Sequence, residues 1–180
     1  MINRCILQIA LLLCFSTTAL SMSYNSLQNK LRNGSLECAK LLLQLNGTTD
    51  NCINERMNFK VPKEIKEPEQ LQKEDTTLVI FEMLHNIHDI FRKNFSSTGW
   101  NETLVENLLG ETHLQIHHLK SKINKKVTLK SVTINLRLKS YYWRIVDYLE
   151  TKQYSNCAWK IVQLEIFRNF SFIIILIDYL

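Results

Sequence analysis

The chain has 180 residues, of which 46% are apolar and 22% are charged, and its net charge is +5. This composition excludes a disordered chain, and the basic excess is too mild to indicate a nucleic-acid-binding protein. Only four glycines and two prolines are present, which argues against turn-rich β folds and glycine-rich phosphate loops.

The first 21 residues have the pattern of a secretory signal peptide. Arg4 supplies the positive charge that precedes the apolar run of a signal peptide. The run from Ile6 to Phe15 is too short to span a bilayer. Ala19-Leu20-Ser21 then places small side chains where a signal peptidase requires them. We predict cleavage before Met22 and secretion, with an uncleaved N-terminal anchor as the alternative.

Residues 22–180 are predicted to form one helical domain. A first apolar stripe runs from Leu27 to Leu45, is interrupted by Asn33-Gly34-Ser35, and stops at Asn46-Gly47. Between residues 48 and 70 the apolar residues follow no sustained helical period, so we expect a long connection without regular structure. Connections of this length inside a compact domain are usually functional.

Four further helices are predicted at shorter intervals. The first spans about 72–92, the second starts near Trp100 with Thr98 as its N-cap, the third spans about 134–150, and the last starts near Ser155. The last helix is apolar almost all round, so we expect it to be the most buried. This order predicts an all-α bundle of five helices, A to E, with a long overhand loop between A and B.

Three cysteines remain after removal of the signal peptide, in a compartment that permits disulfides. Cys38 lies on an apolar helical stripe, Cys52 in the long connection, and Cys157 at a helix start. We favour a Cys52–Cys157 disulfide, with Cys38–Cys157 as the alternative.

Neither a catalytic nor a cofactor motif occurs in the chain, so we predict that it is not an enzyme. His85 and His88 are three residues apart, and His113 and His117 are four apart, which is a spacing that can hold zinc. The glutamate of the metalloprotease motif is missing, so we predict no metal site and favour solvent-facing or interfacial histidines. A role of these histidines in metal binding or in dimer formation stays open.

Two surface features are suggested by short motifs. A lysine cluster at the end of helix C and in the following link has two interpretations, contact with a glycosaminoglycan or a solvated loop, and we favour the loop. Five N-x-S/T sequons mark possible glycosylation sites in a secreted chain, and we doubt the last because it adjoins the apolar stripe of helix E. The cluster is Lys120, Lys122, Lys125, Lys126 and Lys130, and the sequons begin at Asn33, Asn46, Asn94, Asn101 and Asn169.

The C-terminal half carries a motif in three parts, which are Tyr141-Tyr142-Trp143-Arg144-Ile145, then Tyr148-Leu149, then Cys157-Ala158-Trp159. This motif resembles that of the type I interferon family, its beta subfamily in particular. Shorter matches cover nearly the whole chain, and they include Gln44 to Gly47, Arg56 to Phe59, Gln72 to Asp75, Ser97 to Thr103, and Arg168 to Phe170.

This resemblance implies a helical cytokine with a Cys52–Cys157 bridge, a free Cys38 and a glycan on Asn101. It implies a monomer that bridges the two chains of the interferon alpha/beta receptor and starts JAK–STAT antiviral signalling. The higher-affinity chain of the family docks on the A–B loop and helix E, and the other chain docks on helices B, C and D. The matching contact residues here are Ile53, Arg56, Leu164 and Arg168, an aliphatic and arginine composition that is typical of hot spots.

The chain also departs from the family pattern. Gln163 replaces an arginine, which we expect to weaken receptor contact, Leu43 replaces a tryptophan, and Trp143 replaces a small residue and is expected to crowd helix D. The link between helices C and D is short, and the C-terminus lacks a basic tail. These departures leave a weakly active or inactive paralogue as one alternative. The lysine cluster and the apolar last helix suggest another, a secreted amphipathic protein that binds lipid.

Overall fold

The computed structural model describes residues 24–46, 52–123 and 128–180. The predicted signal peptide, residues 1–21, lies outside these ranges. Six α-helices occur in the described residues, five long and one of a single turn, and no strand is present among them. The helices are α1 (residues 24–44), α2 (Lys63–Lys66), α3 (Lys73–Phe91), α4 (Glu102–Lys120), α5 (Leu129–Thr151) and α6 (Asn156–Ile177). The five long helices correspond to A to E, and the all-α prediction is confirmed.

Helix α1 is continuous through Asn33-Gly34-Ser35, where the sequence predicted an interruption. The reason is a close approach to α4. A Cβ added at Gly34 would lie 2.9 Å from Cδ of Gln115, and the buried Ser35 hydroxyl donates to Oε1 of Gln115 over 2.7 Å. The small residues therefore allow α1 and α4 to pack together, and this packing offsets their low helix propensity.

The start of α4 differs from the sequence prediction. Thr98 does not cap this helix, because it is buried in a 3₁₀ turn, Ser96–Thr98, where its hydroxyl donates to the carbonyl of Phe95. Asn101 is the N-cap, and its side-chain oxygen accepts a hydrogen bond from the backbone N–H of Thr103 over 2.9 Å. An asparagine at this position satisfies one of the free N–H groups of the first turn.

The long connection between α1 and α3 contains more structure than the sequence indicated. It includes a 3₁₀ turn at Cys52–Glu55, the helix α2, and a second 3₁₀ turn at Pro68–Gln70. Phe59 and Ile65 insert into the core and are almost completely buried. Burial of these two side chains fixes the connection along the side of the bundle.

The core extends through all five long helices, and α6 contributes most to it, as predicted. Trp159, Val162, Ile166, Phe170 and Ile173 of this helix are fully buried. Around Trp159, the rings of Phe91 and Trp100 pack within about 6 Å between centroids. These large side chains hold the N-terminal half of α6 against α3 and the start of α4.

Candidate functional site

The segment from Cys52 to Lys60 is held against α5 by side chains of that helix. The Tyr148 hydroxyl donates to the carbonyl oxygen of Glu55 over 2.9 Å, and Nε of Arg144 donates to the carbonyl oxygen of Phe59 over 3.0 Å. The rings of Phe59 and Tyr148 meet edge to face with 5.4 Å between centroids. Two of these contacts are accepted by backbone carbonyls, so α5 holds the loop by its backbone as well as by the buried Phe59 ring.

The same segment is joined covalently to α6. A disulfide links Cys52 to Cys157, with 5.2 Å between their Cα atoms, and it closes a loop of 105 residues. Nζ of Lys152 lies 2.7 Å from a carboxylate oxygen of Glu55 and adds an ion pair from the end of α5. The remaining thiol, Cys38, is free and buried. These contacts fix the start of the loop at the N-terminal end of α6.

A partly exposed stripe runs along α6 from this disulfide. Leu164 and Arg168 follow Cys157 by seven and eleven residues, which is close to two and three turns of 3.6 residues, so the three side chains share one side of the helix. Leu164 is 55% exposed and Arg168 is also exposed, and Ile161, between Cys157 and Leu164, is partly buried. We call this stripe, with Ile161, the α6 face.

The guanidinium of Arg168 is oriented by a buried polar cluster. It lies 2.8 Å from Oε1 of Glu165, and the same carboxylate accepts a hydrogen bond from the Tyr141 hydroxyl. Asn169 also donates to the Tyr141 hydroxyl over 2.7 Å. Burial, and next the charge of Glu165, raise the pKa of Tyr141, so the phenol stays neutral and donates. The cluster therefore connects the exposed guanidinium of Arg168, on the α6 face, to buried polar side chains of the core.

The structure corrects two expectations about departures from the family pattern. Gln163 lies inside the molecule and not on the α6 face: its amide donates to the carbonyl oxygens of Leu42 and Leu45 at the end of α1. Trp143 does not crowd α5, because its side chain is 64% exposed. Leu43 is also exposed, on α1.

The predicted contact residues of the long connection lie next to the disulfide. Arg56 follows the 3₁₀ turn Cys52–Glu55 and is exposed. Among the residues that the structure describes, no ion pair engages Arg56. The side chain of Ile53 lies outside the described part of the chain. The disulfide thus joins the segment that contains Arg56 to the N-terminal end of α6, the helix that carries Leu164 and Arg168.

The sequons differ in accessibility. Asn33, Asn46, Asn94 and Asn101 are exposed, whereas Asn169 is fully buried and its amide nitrogen donates to the Glu165 carbonyl as well as to Tyr141. The occupancy of the four exposed sites stays a prediction.

The histidines and the lysine cluster show fewer of the features of a binding site than their spacing in the sequence suggested. Nδ1 of His88 lies 3.1 Å from the Thr112 hydroxyl, and its pKa is lowered chiefly by burial. No group of three metal-ligating side chains occurs in the ranges given above. Lys130 pairs with Asp75 over 2.6 Å; Lys125 and Lys126 lie outside the described residues. Glycosaminoglycan contact by this cluster stays a prediction.

Sequence reasoning missed the residues that position the loop. Tyr148 and Arg144 are four residues apart on α5, and the spacing places both on one side of that helix. In the sequence Tyr148 falls on the apolar stripe of this helix with Tyr141 and Ile145, and its hydroxyl gives no separate signal. The sequence also gives no sign that Gln163 binds the end of α1, because its partners are backbone carbonyls of another helix.

Comparison with known proteins identifies the family. The family model described as "Interferon alpha/beta domain" matches residues 27–180. The chain belongs to the interferon alpha/beta family. Interferons are cytokines and not enzymes, so the prediction that this chain has no catalytic function is confirmed by its family. Membership also supports a role in binding interferon receptors.

Relatives of this interferon cover its whole length. It is 57% identical to interferon beta of Macaca fascicularis and 56% identical to interferon beta of Homo sapiens, in each case over 100% of this chain and 99% of the relative. Among solved structures, zebrafish interferon 1 superposes with a TM-score of 0.72 at 18% identity, covering 86% of this chain and 98% of that chain. At that identity the likeness supports the fold alone.

Proposed function

We propose that this chain is a secreted cytokine that binds both chains of the interferon alpha/beta receptor and starts JAK–STAT antiviral signalling. The observation that carries the proposal is the Cys52–Cys157 disulfide, which joins the loop of Arg56 to the helix stripe of Leu164 and Arg168. The disulfide thereby links the connection that carries Arg56 to the helix that carries Leu164 and Arg168, more than 100 residues later in the chain.

The composition of this surface suits a protein partner. Leu164 supplies an exposed aliphatic centre, and Arg56 and Arg168 supply cations, which is the composition of a binding hot spot. The surface is also pre-ordered, because α5 holds the loop and Glu165 orients Arg168. Pre-ordering lowers the entropy lost on binding, so more of the contact energy appears as affinity.

A bridging cytokine also needs a second surface. We assign the second receptor chain to α3, α4 and α5, as the resemblance to the family implies. Signalling then requires both surfaces, and binding to one chain does not by itself activate the attached kinases.

Secretion follows from residues 1–21, which we propose are removed before Met22. None of the helices in the described ranges is long and apolar enough to cross a membrane. Expression in mammalian cells and mass measurement of the N-terminal peptide in the medium test the cleavage position. A peptide that begins at Met1 or at a position other than Met22 would contradict it.

The receptor assignment is tested with isolated receptor ectodomains and with reporter cells from the same species. We expect Arg56→Ala and Arg168→Ala each to weaken binding to one ectodomain by about tenfold or more, which corresponds to at least about 1.4 kcal/mol. Binding to the other ectodomain should not change. Lys30→Ala is the control, because Lys30 is an exposed cation on α1, outside both proposed surfaces.

Because Arg168 pairs with a buried carboxylate, the melting temperature of each variant is measured alongside its affinity. Absence of any response to the wild-type protein, with a receptor-blocked control, contradicts the signalling assignment. Binding without signalling instead identifies the weakly active paralogue.

The lipid-binding alternative receives no support from the last helix. Ile173, Leu176 and Ile177 are fully buried in the core, although Ile175 is about half exposed. The apolar residues that suggested membrane contact therefore stabilise the bundle, and an interfacial helix needs such residues on its surface. Co-sedimentation with liposomes in the absence of receptor binding would revive this alternative.

A further inference from the structure

A basic groove lies between the long connection and the exposed side of α5. Its volume is about 650 Å³, and it is open to solvent. The described residues that line it are four cations, one carboxylate, two hydroxyls and two apolar side chains. They are Lys60, Lys63, Arg137 and Arg144, then Glu64, then Thr133 and Ser140, and then Pro62 and Leu136. Four cations against one carboxylate give these walls a net charge of +3.

The two arginines are fixed parts of this groove. The guanidinium of Arg137 pairs with the buried carboxylate of Glu64. Arg144 donates to the carbonyl oxygen of Lys60 over 3.2 Å and to the hydroxyl of Ser140 over 2.8 Å. Arg137 and Arg144 are seven residues apart, close to two helical turns, so they lie on one side of α5 about 10.5 Å apart along its axis. They form an ordered cationic wall.

The two lysines supply charge that is not neutralised within the described ranges. Lys60 and Lys63 are exposed, and neither forms an ion pair with another described residue. Lys60 has a φ of 55°, in the left-handed region that lysine seldom adopts. Its backbone N–H donates to Oδ1 of Asn58 over 2.9 Å, and its carbonyl is held by Arg144. Backbone strain maintained by surrounding contacts is frequent at binding sites.

We propose that this groove binds the sulfate groups of an extracellular glycosaminoglycan chain. The proposal takes secretion from the function proposed above and does not depend on receptor binding. A sulfated chain is a narrow polyanion with charges repeated along its length, and cations spaced along a groove are complementary to it. The guanidinium groups also donate charge-assisted hydrogen bonds to anion oxygens. None of the four cations belongs to the lysine cluster at the end of α4.

Other anionic partners fit the groove less well. The core of a protein interface is rich in aromatic side chains, and single-stranded nucleic acid stacks its bases on such side chains. None of the described residues that line the groove is aromatic. An anionic membrane surface is too broad to enter a groove between two segments of chain. A sulfated polysaccharide is therefore the partner that the shape and the charge favour.

The test uses protein purified from the medium of mammalian cells, with heparin as the probe. Lys60→Gln with Lys63→Gln removes two charges from the groove and leaves both arginines in place. Lys30→Gln with Lys120→Gln is the matched control, because both are exposed lysines on α1 and α4, outside the lining of the groove. Affinity for heparin is measured at several salt concentrations, and circular dichroism checks the fold of each variant. Desulfated heparin, polyglutamate and phosphatidylserine vesicles are the competing probes.

We expect the groove variant to bind heparin at least about fivefold more weakly than wild type and with a smaller salt dependence, because fewer cations then release counterions from the polyanion. The control should stay close to wild type. In the wild-type protein, bound heparin should protect Lys60 and Lys63 from acetylation and leave Lys30 reactive, which is a measurement that needs no variant.

Equal losses of affinity in the groove variant and the control overturn the proposal, and so does acetylation of Lys60 and Lys63 that heparin does not slow. Binding to desulfated heparin, polyglutamate or the vesicles that equals binding to heparin also overturns it. Protein that stays inside the cells contradicts secretion and with it an extracellular ligand. Secreted protein that does not bind heparin contradicts the groove assignment alone and leaves the receptor assignment intact.

Discussion

The side-chain amide of Gln163 donates a hydrogen bond to the carbonyl oxygen of Leu45, 3.0 Å away, and a second one to the carbonyl oxygen of Leu42. The last carbonyls of a helix commonly lack partners within the helix. Here the Leu42 carbonyl also accepts a bond from the backbone N–H of Leu45 over 3.3 Å, and both residues are buried. Gln163 therefore caps α1 from α6 and fixes the point where the long connection begins. The next residue, Leu164, points outward, so adjacent positions on α6 have separate roles.

Gln163→Ala should destabilise the protein by about 1–3 kcal/mol, because it removes the side-chain donor from the carbonyl oxygens of two buried residues, Leu42 and Leu45. Leu164→Ala is the matched variant and should change the free energy of unfolding by less than about 0.5 kcal/mol, since Leu164 is exposed. Urea unfolding monitored by circular dichroism measures both. Equal losses of stability would show that Gln163 has no capping role.

A pair of glycine variants tests the close approach of α1 and α4. Gly110→Ala in α4 should stabilise the protein by up to about 1 kcal/mol, because its Cβ meets open space and alanine favours the helix. Gly34→Ala should destabilise it by about 1 kcal/mol, because its Cβ displaces the buried Gln115 from Ser35. Urea midpoints of the two variants should therefore move in opposite directions. A shift of both midpoints to higher urea would contradict the close contact at Gly34.

Removal of the disulfide should lower the free energy of unfolding more than the substitutions described above. For a loop of 105 residues, the chain-entropy model gives a stabilisation of about 4.7 kcal/mol. The double variant Cys52→Ser with Cys157→Ser should lose most of this and bind the α6-face receptor chain more weakly. Cys38→Ala is the control and should keep the disulfide. Thermal unfolding and ectodomain binding together measure both effects, and an unchanged melting temperature would be incompatible with this role.

Stability should decrease at alkaline pH. Burial and the charge of Glu111 raise the pKa of Cys38 from 9.0 to about 12, and burial raises the pKa of Tyr141 and Tyr142 above their usual value. The folded state therefore retains protons that the unfolded state releases. The contribution of the Cys38 thiol is complete below pH 9 and is lost as pH rises from 9 towards 12.

Urea unfolding at a series of pH values between 8 and about 11.5 measures this decline. Cys38→Ala removes one of the groups, so its stability should fall less steeply over the same interval. The native Cys38 thiol should also resist alkylation at pH 8 and react once the protein is unfolded. If the free energy of unfolding falls equally steeply with pH in wild type and Cys38→Ala, the thiol does not titrate differently in the folded and unfolded states.

The long helices were predictable because their apolar residues repeat at the helical period. The segment predicted at 72–92 is observed as Lys73–Phe91, and the helix predicted from Ser155 begins at Asn156, with Ser155 as its cap. In these segments burial of one face stabilises the helix, and the pattern that causes burial is visible in the sequence. The start of α5 was missed by five residues, because Leu129 is 90% exposed and extends no apolar stripe.

The sequence by itself determined the helical class, the long helices and the residues available for a receptor surface, because apolar periodicity and residue chemistry are local properties. Only the tertiary structure decided which of those residues meet. The structure of the long connection depends on burial of Phe59 and Ile65 and on hydrogen bonds from Tyr148 and Arg144. The inward position of Gln163 depends likewise on α1. Such contacts join residues distant along the chain, so no local pattern specifies them.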